Sequence, residues 1–272
     1  MFIFKFKKPA RLKARFCVFQ GLICALALLF VTGSASAQNL HALVVGTDHY
    51  ERARDLSNPA NDARAVAQRL SQLGYHLHAG GPLLDPTRQD LLAAFRSFAL
   101  ALPEGATAVV FLAGHGLSQA GQTFLVPSDD GALTSRDDLV DIGVALRALT
   151  GRLAARTGVN AVLFIDACSA NGLRAAGASD ASGAGGAGDL VAIPDGSINL
   201  IYAATPGQIA ADGEGPNSPF TAALLAALEA PNQQVSGLFR AMSSHMVAHN
   251  DGTQTPWLMQ ALGNGMPVHL VP

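Results

Sequence analysis

Four short apolar runs, separated by amphipathic stretches, constrain this chain more than any other feature. They are Ala42 to Val45, Ala108 to Leu112, Ala161 to Ile165, and Ile198 to Ala203. Such runs, apolar at every position save Asn199 in the last, read as strands of a sheet covered on both faces. Between them the apolar residues recur at helical spacing. One helix is expected from Asn58-Pro59, a cap residue followed by proline at the first helical position, with a stripe of Ala63, Val66, Ala67, Leu70 and Leu73 and a stop at Gly74. A second is expected over about Thr87 to Leu102, with Leu91, Leu92, Phe95 and Phe98 in its stripe. A third is expected over Ile142 to Arg156, and two more over Pro219 to Ala230 and Ser236 to Ala248. Strands alternating with helices imply right-handed crossovers, hence an α/β fold with a mostly parallel sheet and helices on both faces. Residues 172–196 differ, being rich in Gly, Ala and Ser at the start with no apolar period. They are expected to be a flexible loop between a larger front part and a smaller back part of one sheet.

The first residues do not read as part of that fold. Six basic residues between Lys5 and Arg15 precede an apolar run from Phe16 to Val31, and Ala35-Ser36-Ala37 follows. Basic head, apolar segment and small-x-small site together read as a signal peptide over residues 1–37, cleaved after Ala37. The competing reading is an uncleaved membrane anchor, since the run is nearly long enough to span. A lipid anchor on Cys24 is disfavoured, because Gly21-Leu22-Ile23 lacks the small residues such a site needs. Cleavage implies a periplasmic or secreted protein with no stable membrane association. Residues 38–272 keep 12 of the 18 basic residues and all 20 acidic ones, a net charge of about −8. That balance disfavours nucleic acid as a partner. It also leaves Cys168 as the only cysteine, so no internal disulfide can form in the cleaved chain. A lone exported thiol is either buried and inert or used.

Its position favours use. The run ending at Leu112 leads into Ala113-Gly114-His115-Gly116, and the run ending at Ile165 leads into Asp166-Ala167-Cys168. In parallel α/β sheets, ligands bind beyond the carboxyl ends of strands. A glycine-flanked histidine and the lone cysteine therefore fall on the same edge. A thiol is only a few per cent ionised near neutral pH, and an adjacent imidazole activates it by taking its proton. The same imidazole can protonate a leaving amine. The tetrahedral intermediate needs N–H donors, for which the backbones of Gly116 and Cys168 are candidates. A Gly-His-Gly alone is weak evidence, since loop histidines are usually without function. The conjunction with Cys168 is what gives it weight.

Several segments resemble the bacterial caspase-like and metacaspase-like cysteine peptidases. Ala113-Gly114-His115-Gly116 followed by Phe124-Leu125-Val126-Pro127-Ser128-Asp129 is similar to their histidine segment, and Asp166-Ala167-Cys168 to their cysteine segment. Leu56-Ser57-Asn58-Pro59-Ala60-Asn61-Asp62-Ala63 resembles the stretch after their first strand. Ala204-Thr205-Pro206-Gly207-Gln208, Asn217-Ser218-Pro219-Phe220-Thr221 and Gln254-Thr255-Pro256-Trp257 resemble the small-subunit region. The resemblance spans nearly all of residues 38–272 in the family's order. It implies a caspase-like three-layer sandwich and a cysteine endopeptidase acting through His115 and Cys168. Many relatives carry Arg directly after the cysteine, where this chain has Ser169, which puts substrate fit and rate in question.

The resemblance also implies that Asp62 and Asp166 line the pocket for the residue before the cut bond. Two carboxylates there would suit Arg or Lys. Each acid also has a structural reading: Asp62 as a first-turn helix acid, Asp166 as a strand-end residue bonded to nearby backbone. If the pocket is acidic, self-cleavage in the loop is expected after Arg174, the only basic residue between Cys168 and Arg240. No cofactor is expected. Calcium stays open, since Asp180, Asp189 and Asp195 have no EF-hand spacing, and no zinc or phosphate-loop motif is present. The expected partner is a peptide or protein substrate of a monomeric enzyme. The alternatives are a catalytically silent caspase-like binding module and an exported thiol amidase acting on cell-wall peptides.

Overall fold

The computed structural model describes residues 39–135, 137–167, 186–205, 208, 210–249, 254–264 and 268–271. The expected signal peptide, Cys168, Ser169, Arg174 and Asp180 lie outside them. Residues 39–272 form one compact unit. Its main sheet has seven strands: β1 (Leu40–Gly46), β2 (His76–Leu77), β3 (Leu83–Leu84), β4 (Thr107–Gly114), β8 (Asn160–Ala167), β9 (Ser197–Tyr202) and β10 (Trp257–Leu262). The order is β10-β9-β8-β4-β1-β2, with β3 also on β1. All pairings are parallel except that of β10 with β9. All four expected strands are present, and β4 and β8 run side by side at the centre.

Alternate residues of the strands feed two cores. Val44, Phe111, Phe164 and Ile201 pack beneath α1 (Pro59–Gln72), α5 (Pro219–Ala227) and α6 (Val235–His249). Val45, Val110, Leu163 and Leu200 pack beneath α2 (Arg88–Ala101) and α4 (Arg147–Ala154). This is the α/β sandwich that the resemblance implies. Phe95 and Phe111 are fully buried, and truncating either to Ala would cost about 3–5 kcal/mol.

Local details follow from chemistry. Helix α2 opens with a capping box, in which Thr87 and Asp90 each bond the other's backbone N–H. Helix α1 has proline in its first turn but no bond from the Asn58 side chain to its own helix. Asn58 Nδ2 instead donates to the Asp212 carbonyl, and Asp48 Oδ1 accepts the Ala60 N–H at 2.8 Å. The cap is thus supplied from twelve residues upstream.

The third expected helix is split. A short α3 (Leu139–Ile142) ends at Gly143, Val144–Ala145 forms β7, and only Arg147–Ala154 continues as helix. Gly143 is extended, and a Cβ there would lie 2.8 Å from the Leu139 carbonyl oxygen. Strand β7 completes a small antiparallel sheet with β5 (Gly116–Gln119) and β6 (Gln122–Leu125), which the sequence did not announce. Ala120 and Gly121, both at positive φ, make the two-residue turn between β5 and β6.

The C-terminal end of the expected flexible loop is packed. Asp189 is fully buried and accepts from Thr123 N–H (2.7 Å), Thr123 Oγ1 (2.6 Å) and Tyr202 Oη (2.7 Å). Thr150 Oγ1 donates to its carbonyl at 2.8 Å. A carboxylate with three internal donors ties this segment to β6, β9 and α4, so residues 186–189 are ordered structure. Among the described residues, no helix is long and apolar enough to cross a membrane.

Candidate active site

His115 follows the last residue of β4 and is 5% exposed. Gly114 has φ 145°, a conformation that favours glycine, and a Cβ there would lie 2.7 Å from Tyr50 Oη. The His115 N–H donates to Tyr50 Oη at 2.8 Å, and Tyr50 donates onward to the Thr47 carbonyl at 2.9 Å. Burial pushes the Tyr50 hydroxyl well above its ordinary pKa, so it stays protonated. His115 Nε2 lies 2.7 Å from the Arg54 carbonyl oxygen. A carbonyl only accepts, so Nε2 carries the proton and the neutral ring presents Nδ1 as its base.

Strand β5 starts at Gly116, directly after His115. A Cβ on Gly116 would lie 2.7 Å from the Ala167 Cβ, so only glycine lets the two segments approach this closely. Gly114 and Ala167 are register partners on adjacent parallel strands. These are the residues directly before His115 and Cys168.

The two acids come together. Asp62, on α1, is 1% exposed, and Asp166, near the end of β8, is 7% exposed. Ser218 joins them: its N–H donates to Asp62 Oδ1 at 3.1 Å, and its hydroxyl donates to Asp166 Oδ2. Asn217 Nδ2 also donates to Asp62 Oδ1 (2.8 Å), and Thr221 Oγ1 to Asp166 Oδ2 (3.0 Å). Ser218 also caps α5 by accepting the Thr221 N–H. Asp62 does stand in the first turn of α1, as its structural reading has it, whereas Asp166 does not bond nearby backbone. The Asp62 carboxylate bonds the segment before α5, and Asp166 bonds two side-chain hydroxyls.

Burial pushes Asp62 up to about 8, with the Asp166 charge adding to the rise. Burial likewise pushes Asp166 up to about 6, against the pull of the Ser218 and Thr221 hydroxyls. Asp212 raises both. It accepts the Ser57 N–H at 2.9 Å and is a third acid that the sequence reading missed. It sits 155 positions from Ser57, and no local pattern marks such a neighbour. Among the described residues, neither Asp62 nor Asp166 has a basic ion-pair partner. Buried carboxylates without a cation favour their protonated form or a cationic ligand.

The family segments also knit the small-subunit region. Gln254 Nε2 donates to the Ala203 carbonyl (2.9 Å), and its Oε1 accepts the Ala211 N–H (3.0 Å). Among the described residues, no group of three or more His, Cys, Asp or Glu side chains could hold a metal ion.

Fold and strand-end residues together define an α/β sandwich with a histidine and a cluster of buried acids at the carboxyl edge of its sheet. Residues 39–264 match the family described as caspase domain. The chain belongs to the caspase-domain family, whose members are cysteine peptidases. It is similar to the mucosa-associated lymphoid tissue lymphoma translocation protein 1 homolog of Mus musculus, 32% identical over 98 residues. It is 31% identical over the same length to the Homo sapiens protein of that name. These stretches cover 36% of this chain but only 11% and 12% of those proteins. The solved structure of protein GSU0716 from Geobacter sulfurreducens shares the fold, with a TM-score of 0.60 at 19% identity. The match covers 84% of this chain and 94% of that one.

Proposed function

We propose that this chain is a cysteine endopeptidase that cuts peptide bonds after Arg or Lys. The observation that carries the reading is the register of β4 and β8, whose paired ends Gly114 and Ala167 precede His115 and Cys168. His115 Nδ1 takes the thiol proton as sulfur bonds to the peptide carbonyl carbon. The backbone N–H groups of Gly116 and Cys168 receive the oxyanion. The imidazolium then returns its proton to the amine as the C–N bond breaks. Water, deprotonated by the same imidazole, hydrolyses the thioester. No cofactor enters these steps. Asp62 and Asp166, with Asp212 nearby, would receive the guanidinium or ammonium that their burial otherwise lacks. Self-cleavage would fall after Arg174. Export after Ala37 would place a monomeric enzyme in the periplasm or outside the cell.

A fluorogenic peptide series tests this on reduced protein. Release of the dye after Arg, lost in Cys168→Ala, supports it. Turnover of wall fragments alone would favour the amidase, and no turnover by folded protein the silent module.

A further inference from the structure

We propose that Tyr50 is a positioning residue for His115, its hydroxyl fixing the backbone on which the imidazole stands and its ring holding the imidazole face. This inference rests on the reading of His115 as the catalytic base. Thr47 and His115 are the residues that follow β1 and β4. The Thr47 N–H still bonds the Ala113 carbonyl at 3.0 Å, as the last rung between the two strands. Beyond it the ladder stops, because Gly114 turns to φ 145°. The Tyr50 hydroxyl closes the gap, accepting from His115 N–H and donating to the Thr47 carbonyl. The Tyr50 and His115 ring centroids lie 4.7 Å apart, at 47° between planes. An aromatic face at this distance stabilises an imidazolium over a neutral ring.

The same loop holds the opposite end of the imidazole through the Arg54 carbonyl. Carboxylates hold the loop itself. Asp85 accepts the Asp48 and His49 N–H groups, Asp55 accepts that of Tyr50, and Asp130 accepts those of Arg52 and Ala53. Three contacts from one braced loop therefore grip His115: on its N–H, on its ring face and on Nε2. The competing account makes Tyr50 an ordinary packing residue of the small cluster of Leu117, Phe124 and Val126, which it also touches. That account predicts lost stability and an unchanged site.

The experiment compares Tyr50→Phe and Tyr50→Leu with the wild-type full chain. It reads kcat and KM on an Arg-ended peptide, the rate of Cys168 alkylation by iodoacetamide, and the melting temperature. Tyr50→Phe should lower kcat about tenfold with KM unchanged, through loss of the two hydrogen bonds of its hydroxyl. Tyr50→Leu should lower kcat about a hundredfold and slow alkylation at neutral pH, because the imidazole loses its place. Variants that melt earlier yet keep wild-type kcat and alkylation would overturn the inference and leave the peptidase reading standing. A wild type that cuts no peptide, but whose thiol reacts faster than in the unfolded chain, would sink the peptidase reading alone. Tyr50 then keeps its role if Tyr50→Leu abolishes that excess reactivity and loses it if not. A wild-type thiol no faster than the unfolded one overturns both.

Discussion

The surroundings of His115 and those of the two acids sit at the same edge of one sheet and are built on opposite terms. The contacts that fix His115 in place are with neutral, well-matched groups: a phenol, a carbonyl and an aromatic ring. Asp62 and Asp166 are buried with donors too few to offset their charge, and with Asp212 adding repulsion. In the first region the His115 N–H and Nε2 are matched as they stand. The second is under electrostatic stress that a bound cation would relieve. Under the proposed function, a group that moves protons gains from being fixed beforehand, while a group that selects a ligand gains from being costly when empty.

That contrast can be broken at either end. The largest effect is expected from His115→Gln, which should lower kcat at least about 10³-fold in peptide assays while leaving KM within a fewfold. Asp166→Asn comes next. It should raise KM for Arg-ended peptides about 10²-fold, as the loss of a buried charge partner does, with little effect on thiol alkylation. An unchanged KM would show that the acids do not face substrate.

The pH dependence sharpens the point. Both carboxyls lie above their ordinary value, so at pH 5 they are largely protonated, and the proposed pocket should bind a guanidinium poorly. KM for Arg peptides should fall as pH rises between about 6 and 8, the range to which Asp166 and Asp62 are pushed. Peptides with a neutral residue at that position should show no such fall. Stability should move the other way. A raised carboxyl stabilises the folded chain in its protonated form, and this is lost as pH climbs through its folded pKa. Asp62→Asn should therefore melt a few degrees above wild type at pH 9 and show little gain at pH 4, by calorimetry. The smallest effect is expected from Asp48→Ala, which removes the cap of α1 and should cost about 1 kcal/mol in denaturant unfolding.

The central sheet was legible because strands covered on both faces must be largely apolar, and the middles of β1, β4, β8 and β9 are. Helices α1 and α2 were legible from their apolar stripes, and the ranges expected for the last two helices hold α5 and α6. Val144 misled, since it sits at helical spacing from later leucines yet serves the core from β7, where the free edge of β6 pairs with it. The site was half legible. His115 stood out through its glycines, and Asp62 and Asp166 through resemblance, and the two acids do meet across Ser218. The Arg54 contact was invisible, because a carbonyl belongs to every residue alike. Tyr50 looked like any half-buried aromatic, and Asp189 like one more acid in a glycine-rich stretch, until tertiary partners from β6 and β9 defined them.

The clamp around Asp189 bears on what a nick would do. Strands β8 and β9 lie on opposite sides of residues 168–185, yet they are laced together along six register pairs. A protease cut in that interval would divide the polymer and leave the ladder intact. The downstream fragment would keep residues 187–189 pinned inside the protein by a single acid, so the two pieces would travel as one particle.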